Sequence, residues 1–301
     1  MAKEAEHFSK QKKWHLVANI QSEYAGHIEN ELACKYADET DLIILIGGDG
    51  TLRELIAGLR KNNHRTEIAF IPMGNANVVA RELNIPLEPA HALQMLESST
   101  TTLVDIGILD MKFEQDTKTT NQQSMIFLAM LEIGFGAKIV HMVNQLRLGK
   151  LKRLYQLWGD LVYALAGVLA FIQKDSDAID IEHKNHEDKS KHIVISNMKT
   201  YAKGWSLTPD ADCQDGLLNI AINKKGSRLS ILATFLLAAQ RKRSPDSRIA
   251  YSQTSDLVLK GPTNAFMQVD GDPIYFSGFA KVRIEPKAFN IHVPMINNTR
   301  T

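Results

Sequence analysis

The stretch "LIILIGGDGTLRELIAGL", residues 42–59, puts three glycines into four positions between two apolar elements. Residues 42–46 are leucine and isoleucine only, the pattern of a strand buried on both faces. Beyond them, Leu52, Leu55, Ile56 and Leu59 recur at the spacing of one helical face. Gly47, Gly48 and Gly50 let a ligand come close to the main chain where strand becomes helix. The N–H groups that open a helix, with its dipole behind them, favour an anion, and phosphate is the natural one. Asp49 among those amides would repel phosphate unless a divalent cation lay between them, so the turn implies magnesium as well. This is neither of two familiar nucleotide loops. Arg53 stands at the third glycine position of "GxGxxG", and Gly149-Lys150 is followed by Leu151, which excludes "GxxxxGK[ST]".

Outward from this turn, strand and helix patterns alternate. "WHLVANI" (14–20) reads as a strand, "HIENELACKYADE" (27–39) as a helix, "EIAFIPM" (67–73) as a strand and "NVVARELN" (77–84) as a short helix ended by Pro86. "PAHALQMLES" is a further helix before "TTLVDIGIL". Such alternation predicts a parallel sheet with helices on its faces, and ligands of such sheets sit at the carboxyl ends of the strands. Both residues 47–51 and "PMGNAN" (72–77) lie at such ends.

After Val104 the pattern changes to short strands with polar turns. "VDIGILDMKF" and "SMIFLAMLEIGF" flank the polar tract "EQDTKTTNQQ", which predicts a hairpin with a long loop. "AIDIEH" and "KHIVISN" flank "KNHEDKS", which predicts a second hairpin. "LLNIAIN", "DLVLKG", "AFMQVDG", "AKVRIEP" and "FNIHVP" supply further strands, with helical stretches at 147–173 and 228–241. The expectation is an α/β domain over residues 1–104 and a β-rich, sandwich-like domain over 105–301, whose last strand returns to the first.

The whole chain narrows the function classes. With 301 residues there is ample core for two domains. Net charge is +1, from 35 basic and 34 acidic residues, which argues against a nucleic-acid binder driven by bulk electrostatics. Two cysteines, Cys34 and Cys213, make no disulfide framework and fit a reducing cytosol. The charged start "MAKEAEHFSKQKKW" is no secretory signal, and the apolar runs 161–172 and 229–239 fall short of the ~20 residues of a membrane span. The expected setting is the cytoplasm. Arg147, Lys150, Lys152 and Arg153, just before an apolar stretch, form a basic edge that could hold the chain on the inner face of an anionic bilayer. His183 and His186, three apart in a charged loop, read as solvated rather than as zinc ligands.

Four motifs in order, "GGDGTLRE" (47–54), "PMGNANVVARELNIP" (72–86), "TPDADCQDGLLNIAI" (208–222) and "VDGDPIYF" (269–276), resemble the diacylglycerol kinase catalytic family, which includes bacterial lipid kinases. The resemblance runs from about His15 to Pro294. It implies ATP between an α/β and a β-rich domain, with Mg²⁺, and a lipid alcohol as phosphate acceptor. Gly47, Gly48, Asp49, Gly50 and Thr51 would hold the phosphates, joined by Arg53, Glu54, Gly74, Asn75, Asn77 and Ser22. Asp270 matches the family's proposed general base, with Asp49 arranging magnesium and phosphates, and Asp272 stands where the family has Glu. Asp215 matches a family Mg²⁺ site, completed here by main-chain oxygens of Asp212 and Leu217. Without the family, Asp270-Gly271 reads simply as a favoured hairpin turn. The implied partners are ATP, a lipid acceptor at a membrane surface and, as an assembly, a homodimer; nucleic acid is not among them.

The chain also departs from the family pattern. The usual opening strand and "NPxSG" loop have no counterpart, so a sheet edge with open amides and weak ATP binding are expected. "GFGAKI" (134–139) lacks the Asp that commonly follows "GF", and "YAKGW" (201–205) replaces a Gly-rich turn. The rival readings are an NAD-kinase-like enzyme, against which "PMGNAN" counts, and a non-catalytic nucleotide- or lipid-binding homologue, which the absent loop favours.

Overall fold

The computed structural model describes residues 1–115, 119–148, 162, 165–171, 177–184, 186–200, 206–224 and 249–295. The expected helix over 228–241, most of that over 147–173, and residues 201–205 lie outside these. Among the described residues no helix is long and apolar enough to cross a membrane. The chain forms two compact units, one of residues up to Ile106 together with those from Pro286 onward, the other built from Gly107 to Glu285.

In the first unit the strand β1 (Leu42–Gly47) pairs in parallel with β2 (Glu67–Pro72), from Leu42 beside Glu67 to Gly47 beside Pro72. β2 is the central strand, buried from Ile68 to Pro72, and its Ile68 pairs in parallel with Ile291 near the chain's end. The helix between them, α3 (Asp49–Lys61), buries Leu52, Leu55, Ile56 and Leu59, as its periodicity requires. A methyl group on Gly58 would lie 2.6 Å from Ala33 Cβ and 2.8 Å from Glu29 O. That glycine, costly inside a helix by about 1 kcal/mol, lets α3 lie directly against the helical segment Ile28–Ala37. Two short helices, Val78–Glu82 and Pro89–Met95, follow β2.

The strand expected at 14–20 is absent. These residues are exposed and pair with no strand. Among the described residues β1 has β2 as its one neighbour in the sheet, and its other edge opens on a cavity of about 770 Å³. Leu42, Ile44 and Ile46 line one side of that cavity, while Trp14, Leu16, Val17 and Ile20 also line it. An apolar run with β propensity becomes a strand only where a neighbour takes up its backbone N–H and C=O groups, and here none does.

The second unit is a β-sandwich. One sheet runs β10 (Ile249–Thr254), β9 (Leu218–Asn223), β8 (Ile193–Ser196), β5 (Met130–Ile133), β12 (Phe266–Val269) and β13 (Asp272–Tyr275), antiparallel throughout. The other contains β7 (His186–Ser190), β6 (Ile179–His183), β11 (Asp256–Lys260) and the first half of β14 (Phe279–Pro294). Leu109, Phe127, Leu131, Ile181, Ile195, Ile220, Leu259, Met267 and Val282 belong to one shared core between them.

Two hairpin expectations need correction. The tract 114–123 is no long loop: β3 (Ser99–Gln115) and β4 (Thr119–Phe127) pair through it, Gln115 facing Thr119. "AIDIEH" does not pair with "KHIVISN" either; its partner is the polar β7, while β8 joins the other sheet. In both cases polar residues on an edge strand carry no hydrophobic alternation to betray them, yet their backbone groups still need partners.

Gly107 marks the tightest packing in the sandwich. A Cβ there would lie 1.9 Å from Phe127 Cζ, and Phe127 is wholly buried. Gly107→Ala is expected to lower stability by about 1–3 kcal/mol or more. Adding Phe127→Leu should restore part of the loss, read as the interaction energy in a double-mutant cycle of urea unfolding. An additive pair would show that the two positions do not touch.

Candidate active site

The glycine turn is built by two backbone segments in direct contact. Gly48 follows β1 and caps α3, and a Cβ on it would lie 3.1 Å from Gly74 Cα. A Cβ on Gly74 would meet Gly48 Cα and Asn77 Oδ1, each at 2.8 Å. Met73 N–H donates to Gly47 O at 2.6 Å, joining the same two turns. Glycine at both positions is therefore a matter of volume rather than of positive φ.

Asp49 fixes the second turn to the first. Its carboxylate accepts from Val78 N–H (2.9 Å) and Val79 N–H (3.1 Å), the first amides of the helix Val78–Glu82, and so caps a helix that begins 29 residues later. Burial pushes the Asp49 carboxyl above the usual carboxylate range, against the pull of those amides. Asn77, in the left-handed region at φ 47°, closes the loop on itself: Gly74 N–H donates to its Oδ1 and its Nδ2 donates to Gly74 O. The side chain of Asn77 is thus spent on architecture.

What remains open in this unit is the rim. In α3 the first helical bond runs from Leu52 N–H to Gly48 O, so the amides of Gly50 and Thr51 have no carbonyl partner within the helix. A Cβ on Gly50 would meet nothing within 4 Å. Asn75 is exposed, and Thr51, Arg53 and Glu54 are half-buried on the first turns of α3. Residues 47–54 and 74–77 are thus brought together, whereas Ser22 stands exposed on the unpaired segment beside the cavity.

In the second unit Asp270 sits between β12 and β13 at φ 50°, followed by Gly271 at φ 88°. Its Oδ2 accepts from Leu128 N–H (2.7 Å), and its Oδ1 from Ala129 and Met130 N–H (2.9 Å each). A carboxylate offers roughly four acceptor sites, so these amides leave at most one for a ligand. Sequence reasoning had no sight of residues 128–130, because main-chain donors carry no side-chain signature. Asn197, wholly buried, secures them by donating Nδ2–H to Leu128 O and its own N–H to Ala129 O.

Asp212 and Asp215 lie on one tight turn, exposed, each bonded to the backbone two residues on: Gln214 N–H to Asp212 Oδ1, and Leu217 N–H to Asp215 Oδ1. Oxygen-only donors of this kind suit a hard cation. No group of three His, Cys, Asp or Glu side chains gathers among the described residues, so an ion here would take main-chain oxygens and water as well.

Below Asp270 lies a cluster absent from the sequence reading. Glu132 on β5 and Gln268 on β12 face each other across the ladder, with Gln268 Nε2 donating to Glu132 Oε2 at 2.6 Å. His192 Nε2 lies 2.9 Å from Glu132 Oε1. A side chain at Gly136 would begin 2.1 Å from that same oxygen, so the carboxylate occupies the space that position leaves. The signal was present as a lone acid in the apolar run "FLAMLEIGF".

A glycine-lined turn on a parallel sheet in one unit and a β-sandwich carrying a braced aspartate in the other are the build of a kinase of the diacylglycerol kinase type. Residues 2–109 match the diacylglycerol kinase catalytic domain, and residues 129–293 match the YegS C-terminal NAD kinase beta sandwich-like domain; the chain belongs to the family that joins these two. It is 26% identical over 270 residues to a "Probable lipid kinase YegS-like" of Pseudomonas aeruginosa, covering 89% of this chain and 80% of that one. A "Diacylglycerol kinase" of Staphylococcus epidermidis is 23% identical over 236 residues, covering 78% and 68%. The crystal structure of a diacylglycerol kinase from Bacillus anthracis shares the fold, with a TM-score of 0.61 at 17% identity over 90% of this chain and 83% of that one.

The position of Asp49 gives a pH test. Because its carboxyl is raised in the folded protein, the native state holds the proton more tightly than the unfolded chain does. The stability of the parent relative to Asp49→Asn should therefore be greatest in acid. It should fall as pH rises from the ordinary carboxylate value of about 4 through the raised one, and then level. Chemical unfolding of both proteins across that range checks the sign; a difference that grows with pH would mean that the amides outweigh burial.

Proposed function

We propose that this chain is an ATP- and Mg²⁺-dependent lipid kinase that transfers the γ-phosphate to a hydroxyl of diacylglycerol, a sphingoid base or a related amphiphile. The observation that carries the reading is the open turn at Gly50 within the matched catalytic domain. Gly47, Gly48, Gly50 and Thr51 take the phosphates on main-chain amides, with Arg53, Glu54, Gly74, Asn75 and Ser22 at the rim of the nucleotide. Asp49 and Asn77 hold the two turns in register, and Asp49 would also help to hold the metal, whose charge would offset the burial that raises its carboxyl. Magnesium, when bound, neutralises charge on the phosphates. Asp212, Asp215 and the Leu217 carbonyl would hold a second, structural ion.

In the transfer, the acceptor oxygen forms a bond to the γ-phosphorus as the bond to the β-phosphate bridging oxygen breaks, and ADP leaves. The acceptor proton passes to the Asp270 carboxylate, whose orientation the amides of residues 128–130 fix. The acceptor is a membrane lipid, so the protein works at the surface of the inner membrane face, from the cytoplasm. The homodimer belongs to the same reading.

Transfer of labelled phosphate from ATP to diacylglycerol and sphingosine in mixed micelles, and to NAD in buffer, tests the proposal. Labelled lipid that depends on magnesium is expected; labelled NAD, or no product from any acceptor, would overturn it. Gly50→Ala should keep the parent's melting temperature while raising KM for ATP about tenfold or more, since its methyl meets no protein atom. Asp270→Asn should lower kcat by about 10²–10⁴ with little change in ATP affinity. Activity within tenfold of the parent would remove Asp270 from the role of base.

A further inference from the structure

Residues 165–171, "LAGVLAF", form a helical stretch of the second unit with no charged side chain. Its two faces differ. Ala166 and Ala170 are buried, and Ala166 joins Val162 and Val143 in an apolar cluster with Ile139, Met142 and Leu146 of the helix Phe135–Leu148. Gly167 faces the same helix, since a Cβ on it would lie 3.8 Å from Ile139 Cδ1. On the other face Leu165, Val168 and Leu169 stand 53%, 59% and 53% exposed, at the i, i+3 and i+4 spacing of one stripe. Single apolar residues at a surface are ordinary, but three adjoining ones on one stripe call for a partner.

The helix beneath this stripe leads to Asp270. Phe135–Leu148 lies against β12 and β13. There His141, on the helical face away from Ile139 and Val143, donates Nε2–H to Met267 O (2.9 Å) and Ile274 O (2.8 Å). Both acceptors are carbonyls, so Nε2 carries the proton. Met267 and Ile274 are ladder partners, three residues to either side of the Asp270–Gly271 turn. The exposed stripe, one helix and the Asp270 hairpin are thus packed in series.

Size and charge select the partner. Three side chains, each little more than half exposed, offer a few hundred Å² at most, whereas a stable protein interface takes about 800 Å² per side. A fluid bilayer demands no such matched area. Arg147 is exposed near the end of the inner helix, and in the sequence Lys150, Lys152 and Arg153 follow before the apolar run, with Asp160 the one acid between 147 and 172. An apolar stripe with a basic flank is the make-up of a helix that lies in the headgroup region of an anionic membrane.

We infer that Leu165, Val168 and Leu169 are the face by which this protein docks on an anionic lipid bilayer. The three side chains enter among the acyl chains, and Arg147 meets lipid phosphates. The inference rests on the reading of the acceptor as a membrane lipid, and it adds the surface that meets the membrane.

Vesicle co-sedimentation of the full chain without ATP tests it, with phosphatidylcholine vesicles that contain or lack phosphatidylglycerol. The parent is expected to bind the phosphatidylglycerol vesicles. Leu165→Ser with Leu169→Ser should weaken that binding about tenfold or more at an unchanged melting temperature, because both leucines are exposed. Arg147→Glu should weaken it about fivefold or more. Val168→Ser alone, with a loss of about threefold or more, keeps the test sound if the double variant disturbs folding. Three results would each overturn the inference: no binding of the parent to either vesicle; binding unchanged in both serine variants; or a dimer of the parent that the double variant dissolves, which would make the stripe an interface between copies. Vesicle binding that is lost with the stripe, from a protein that phosphorylates no lipid, would uphold the docking face and overturn the kinase reading instead.

Discussion

The contact between Gly48 and Gly74 is the constraint from which the candidate site follows. Two turns at the carboxyl ends of neighbouring parallel strands approach so closely that a methyl group on either would strike main-chain atoms of the other. Close approach alone would leave the second turn free to slide. The Asp49 carboxylate, reaching across to the amides of Val78 and Val79, and the Asn77 side chain, bonded twice to Gly74, remove that freedom. The acid in "GGDGT" therefore has a mechanical task, whatever it does for a metal. Burying a carboxylate for that task is costly, and the upward shift of its proton affinity is the visible sign of the cost.

This explains why the first unit was so legible in sequence. Leu42–Gly47, Asp49–Lys61 and Glu67–Pro72 are each set by local periodicity and by the glycines between them, and they fold where that pattern puts them. The segment 14–20 carries the same local signal but has no neighbour to pair with among the described residues, and it stays exposed and forms no strand. Strand propensity is half a statement; the other half is supplied by whatever lies alongside. The polar strands Thr119–Phe127 and His186–Ser190 show the converse, since pairing made strands of residues with little pattern to announce them.

The aspartate of "VDGD" shows how a turn and a site coincide. An Asp-Gly hairpin needs left-handed backbone at both residues, and Asp270 and Gly271 adopt it. That backbone geometry leaves the side chain to be placed by its own contacts, and three amides from residues 128–130 place it. Its orientation is consequently set by β5 and the strand entry before it. The residue type could be read in the sequence; its surroundings could not.

Glu132 extends this logic to charge in the sandwich core. At 0% exposure it would be ruinous alone, yet His192 and Gln268 each bond to one of its oxygens, and Gly136 makes room for the group. Removing one partner from such a buried pair typically costs 3–5 kcal/mol, whereas an apolar replacement of the whole set is often neutral. Stability therefore does not require the cluster. What it does supply is register: Glu132 must face Gln268 for the bonds to form, and a slip of one residue between β5 and β12 would put the two groups on opposite faces of the sheet. Since Asp270 follows Gln268 by two residues and Met130 precedes Glu132 by two, the same register that pairs Glu132 with Gln268 also brings the carboxylate to its amides.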